Sequence, residues 1–110
     1  MLLALGIRLE INGEVPCKKS LREVAFVAVK ECLTNTYAHA RGNLMSFEIS
    51  EGENEYKIVC MNNGAIPTKP IIEGGGLSSL RKMTESAGGR MNIDISPRFI
   101  LTIVLPKEET

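Results

Sequence analysis

The stretch Val24 to Ala40, VAFVAVKECLTNTYAHA, reads as one helix with a polar stripe set into its apolar face. Steps of four and three residues give Val24, Ala28, Glu31, Asn35 and His39, so positions that begin as core become a carboxylate, an amide and an imidazole. Burying three such groups without partners costs several kcal/mol, and grouping them around a shared cation or ligand offsets that cost. The helix is expected to run from about Leu21 to Ala40. Ser20-Leu21-Arg22-Glu23 has the capping-box spacing at its start, and Gly42-Asn43 stands near its end.

The alternation Ile7-Arg8-Leu9-Glu10-Ile11 before this helix, closed by Asn12-Gly13, predicts a strand and a turn. Behind the helix, two strand patterns, Leu44 to Glu51 and Glu55 to Met61, flank the polar Gly52-Glu53-Asn54 and predict a hairpin. Asn62-Asn63-Gly64 reads as the turn that ends the second strand. Ala65 to Gly76, with two prolines and three consecutive glycines, reads as a mobile loop. A second helix is expected from Leu77 to Ala87, because Leu77, Leu80, Met83 and Ala87 share a face and Gly88-Gly89 supplies a left-handed cap. Two strands follow, Arg90 to Ile95 and Arg98 to Leu105, and then a charged tail. This order predicts an α/β chain of the two-layer α+β type, with a mixed, mostly antiparallel sheet of about five strands and the helices on one face.

A chain of 110 residues supports one core, so residues 1–110 are read as a single domain. Thirteen basic residues balance thirteen acidic ones, with no basic cluster interleaved with aromatics, which argues against a nucleic-acid partner. Cys17, Cys32 and Cys60 are odd in number and widely spaced, so neither a disulfide framework nor a Cys-x-x-Cys metal site is suggested. A reducing, cytoplasmic setting is expected. The run Ile100 to Leu105 falls far short of the ~20 residues of a membrane span. MLLALG lacks the basic flank and cleavage site of a signal peptide. No membrane contact is expected of this domain, and a membrane-anchored parent protein stays compatible with it.

Gly74-Gly75-Gly76 directly before a helix lets backbone approach a ligand at a helix N-terminus, where unpaired amides and a partial positive charge suit a phosphate chain. The segment is not a Walker loop, which needs a following Lys-Ser or Lys-Thr. Nor does it have the dinucleotide-binding spacing after a strand.

Taken in order, these elements resemble the catalytic, ATP-binding domain of sensor histidine kinases, a branch of the GHKL ATPases with the Bergerat-type fold. Glu31 to Ala40 is similar to the asparagine box of that family. Met61-Asn62-Asn63-Gly64 is similar to its first glycine box, and Gly74 to Arg81 to its second. Ala87-Gly88-Gly89-Arg90-Met91 resembles the turn after its lid helix. The resemblance implies that ATP binds with Mg²⁺, that Asn35 offers its amide oxygen to the metal, and that Glu31 holds a metal-bound water or acts as a base. It implies further that His39 touches the phosphates or the lid, that amides from Gly74, Gly75, Gly76 and Leu77 cradle the triphosphate, and that Asn62 faces the adenine amino group with Gly64 letting the base pack close. Arg81 is a cationic neighbour in the same reading.

The chain departs from the family pattern at Asn62, where relatives carry Asp and its charge-assisted bond to the base, and at Ile66, where they carry a glycine. His39 is the only histidine, and the resemblance commits it to the nucleotide box. The acceptor histidine is therefore expected on a separate helical hairpin, in the same parent chain or a partner, with a response regulator downstream. Two alternatives stand beside this expectation: a serine kinase of the anti-sigma-factor type from the same superfamily, and a non-catalytic module that binds nucleotide or protein.

Overall fold

A computed structural model describes residues 8–14, 18–35, 44–63, 75–94 and 99–107, with Asn35 described for its backbone only. In chain order the elements are β1 (Arg8–Asn12), α1 (Lys19–Asn35), β2 (Leu44–Glu51), β3 (Glu55–Asn62), α2 (Gly76–Ser86), β4 (Arg90–Asp94) and β5 (Ile100–Pro106). The five strands form one sheet in the order β1-β2-β3-β5-β4. Only β1 and β2 run parallel, because α1 carries the chain from one to the other, whereas the remaining neighbours are antiparallel.

Alternation along the strands decides which face is covered. Met45, Phe47 and Ile49 of β2, Ile58 and Cys60 of β3, Leu101, Ile103 and Leu105 of β5, and Met91 of β4 are all buried on the helix side. Register turns these residues into rows across the sheet. Ile11, Phe47, Cys60, Leu101 and Ile93 form one row, and Leu9, Met45 and Asn62 form the next. From above, α1 adds Leu21, Val24, Ala25, Ala28 and Cys32, spaced three and four residues apart as a helix face requires, and α2 adds Leu80.

The hairpin matches the sequence reading, with β2 over the expected residues and Gly52 N donating to Glu55 O at 2.8 Å. Two boundaries differ, and a third cannot be compared. The first helical bond of α1 runs from Arg22 N to Lys18 O at 2.9 Å, so the helix opens at Lys19 and Ser20 lies inside its first turn instead of capping it. Residues 36–40 of the expected helix and the turn at Gly42-Asn43 lie outside the described residues. At the far end of the hairpin, Asn62 is the last residue of β3 and not part of a turn.

The C-terminus of α2 is closed as the two glycines predict. Gly88 N donates to Glu85 O at 3.0 Å, Gly89 N donates to Thr84 O at 2.9 Å, and Gly88 sits at φ 84. This pair of bonds is the Schellman arrangement, which needs a left-handed residue that glycine adopts at no steric cost.

Candidate functional site

The polar stripe of α1 begins where the apolar one ends. Val24 and Ala28 are buried against the sheet, and Glu31, the next position on the same stripe, is half-buried where α1 meets the start of α2. A Cβ built on Gly76 would collide with both carboxylate oxygens of Glu31 and with its Cδ. The acid therefore lies against the first residue of α2, in space that a side chain at position 76 would take.

The N-terminus of α2 is prepared for negative charge. Gly75 occupies the cap position at φ 52, a left-handed conformation, and the direction its missing side chain would take opens onto empty space. Its carbonyl accepts from Ser79 N at 3.1 Å, starting the helical ladder. Among the described residues no side chain caps this end, and the first turn holds no acidic residue of its own. The first-turn amides have no acceptor within the helix and carry its partial positive charge, so the Glu31 carboxylate supplied by α1 is the anion beside them. Leu77, in the same first turn, is half-buried.

Asn62 closes the row that runs from Leu9 through Met45, and it points to the helix side with 6% of its surface exposed. It is bonded within the fold, while its side-chain Nδ2 is buried with no hydrogen-bond acceptor among the described residues. Its neighbour has a different task that sequence reading missed. Asn63 accepts from Leu44 N through Oδ1 at 3.0 Å, and its own N–H donates to Leu44 O at 3.1 Å, which pins the end of β3 to the start of β2. Of the asparagine pair, one residue is a fastener and the other presents its amide to the covered face.

Arg81, expected as a cationic neighbour, donates from Nη1 to Met91 O at 2.8 Å, which ties α2 to β4 one turn and more beyond the helix tip.

The structure thus brings Glu31 together with Gly76 and sets Gly75 and Leu77 on either side of it. Asn35 is the last residue of α1, four positions after Glu31 and so about 6 Å further along the axis. Its side chain, together with His39, Gly64 and Gly74, lies outside the described residues. No three His, Cys, Asp or Glu side chains among the described residues converge as a metal cage would require. No described helix is long and apolar enough to cross a membrane.

No protein-family model matches the chain, and no curated protein does. Solved structures do. The blue-light activated histidine kinase EL346 of Erythrobacter litoralis is similar with a TM-score of 0.73 at 19% identity, over 92% of this chain and 35% of that one. The histidine kinase domain of the same protein gives a TM-score of 0.74 at 20% identity, covering 92% of this chain and 55% of that one. The chain thus spans between a third and somewhat over half of these two. The catalytic domain of the histidine kinase ThkA, in a nucleotide-free form, gives 0.67 at 17% identity over 94% of this chain and 81% of that one. Five strands in a mixed sheet beneath two helices, in this order, are the fold of histidine kinase catalytic domains.

Proposed function

We propose that this chain is the ATP-binding catalytic domain of a histidine kinase. In this reading it donates the γ-phosphoryl group of ATP to a histidine on a separate helical hairpin, in the cytoplasm, with a response regulator further along. The observation that carries the reading is the Glu31 carboxylate held against Gly76, at the uncapped start of α2. An acid and a helix tip suited to phosphate meet there, which supports a phosphoryl-transfer site.

The same geometry gives a physical reason for a divalent cation. A phosphate at the α2 tip stands beside the Glu31 carboxylate, and two anions sharing one helix end repel each other unless a cation lies between them. Mg²⁺, which is bound through few protein oxygens and completed by phosphates and water, supplies charge neutralisation of that kind. In this assignment Asn35 offers the protein oxygen. Glu31 would hold a metal-bound water or act as a base. Amides from Gly74 to Leu77 hold the phosphates, His39 borders them, Asn62 reads the adenine amino group, and Gly64 gives the base room. Catalysis then rests on positioning and charge neutralisation.

Calorimetry with ADP and ATP, with and without Mg²⁺, tests binding, and Asn35→Ala is expected to abolish the Mg²⁺-dependent part. Transfer from labelled ATP onto a supplied histidine-bearing hairpin tests the reaction. An acid-labile product supports the proposal, an acid-stable product shifts it to the serine-kinase alternative, and no binding at millimolar nucleotide leaves the non-catalytic module.

A further inference from the structure

Two thiols meet under the site and take no part in the function proposed above. Cys60 lies on central strand β3, with Phe47 and Leu101 as its partners in register, and faces the helices. Cys32 lies on the buried side of α1, one residue after Glu31. Both are free thiols within the same core cluster, 0% and 2% exposed respectively, and their side chains are hydrogen-bonded to each other. Their contact spans the seam between the helix that carries Glu31 and Asn35 and the strand that ends in Asn62.

We propose that Cys32 and Cys60 are an oxidisable dithiol, a modification site for small neutral hydroperoxides, whose disulfide fastens α1 to β3 behind the nucleotide-site residues. The apolar wall around the pair admits a small uncharged oxidant and excludes bulky or charged ones. Burial, together with the hydrogen bond and the charge interaction with Cys32, pushes the Cys60 thiol well above its ordinary value. The Cys60 thiol is therefore held in its unreactive form while the seam is closed, and the pair reacts when α1 lifts from the sheet.

The chemistry balances in two steps. The Cys32 sulfur attacks the terminal peroxide oxygen, the O–O bond breaks, a sulfenic acid forms and the other peroxide oxygen leaves with the thiol proton, as an alcohol or, from hydrogen peroxide, as water. The Cys60 sulfur then attacks the Cys32 sulfur, the S–S bond forms, the S–O bond breaks and water leaves. Two thiols lose two electrons and two protons, and one hydroperoxide is reduced.

The inference stands apart from nucleotide binding and is tested without it. The full chain and its Cys17→Ser variant are treated with hydrogen peroxide, alkylated in denaturant and digested without reduction. The expected result in both proteins is a peptide joining Cys32 to Cys60 and a thermal midpoint several degrees higher, reversed by dithiothreitol. Three results would overturn the proposal: Cys32 and Cys60 recovered as free thiols when urea-unfolded chain is fully oxidised by the same treatment, a bridge that involves Cys17 instead, or a Cys32–Cys60 bridge that lowers the thermal midpoint.

Discussion

Replacing Gly76 by Ala puts a methyl group where the Glu31 carboxylate now lies. Position 76 has no positive φ, so alanine fits its helical backbone, and the three atoms nearest the added Cβ all belong to the carboxylate. The flexible end of Glu31 can swing away, at the cost of its interaction with the α2 tip, which is about 0.3–1 kcal/mol and up to ~2 in partly buried geometry. Alanine in a helix returns about 0.8–1 kcal/mol relative to glycine. In the wild-type background the two effects nearly cancel, so Gly76→Ala should change stability by well under about 1 kcal/mol. In a Glu31→Ala background there is no carboxylate to eject, and the same substitution should stabilise by about 0.8 kcal/mol. The cycle therefore predicts a coupling of about 1 kcal/mol, above the ~0.3–0.5 kcal/mol scatter of independent sites. The chain has no Trp, so urea unfolding is best followed by far-ultraviolet circular dichroism. With a slope of about 2 kcal/mol per molar urea, the coupling appears as a midpoint difference of about 0.5 M. Equal midpoint shifts in the two backgrounds would refute the placement of the acid at the helix tip.

Gly88→Ala forces a side chain into a left-handed cap and brings its Cβ to 3.3 Å from Pro106 Cγ; a loss of about 1–2 kcal/mol is expected, read as a lower thermal midpoint. Asn62→Asp should tighten nucleotide binding by restoring the charge-assisted bond to the base, and should lower ligand-free stability because the carboxylate is buried; a calorimetric titration showing weaker binding would place the adenine elsewhere. The Lys107 ammonium lies 2.9 Å from Glu51 Oε1, and its hydrogen bond and charge hold the Glu51 carboxyl below its ordinary value of 4.5. A depressed folded-state value means a stabilising contribution that is complete above the unfolded value and is lost as pH falls through the folded one. In Lys107→Met the Glu51 carboxyl should titrate at higher pH than in the wild type by carbon NMR, and an unchanged midpoint would mean that the ion pair is open in solution.

What could be read from the sequence followed from local pattern. Alternation located the β2–β3 hairpin, and the spacing of Val24 and Ala28 located the covered face of α1, because periods of two and 3.6 are intrinsic to the chain. The Glu31 stripe was legible for the same reason, whereas its meeting with the glycine segment followed only from the family resemblance. The start of α1 was not, because Ser20 and Lys18 compete for the same cap and the Lys18 carbonyl takes the first bond. The destination of Arg81 was hidden as well, since it depends on how α2 lies over β4. Cys32 and Cys60 each occupy a predictable buried position, but their contact is set by the crossing of helix and sheet, which neither period encodes.

The position of β5 has a consequence for how the chain is made. It is the last of the described strands in sequence and yet lies inside the sheet, between β3 and β4. A nascent chain that has emerged only as far as Asp94 holds β1, β2 and β3 as one ribbon, while β4 has no neighbour to join. Insertion of Ile100–Pro106 pairs with both at once, so this sheet closes only after β5 leaves the ribosome.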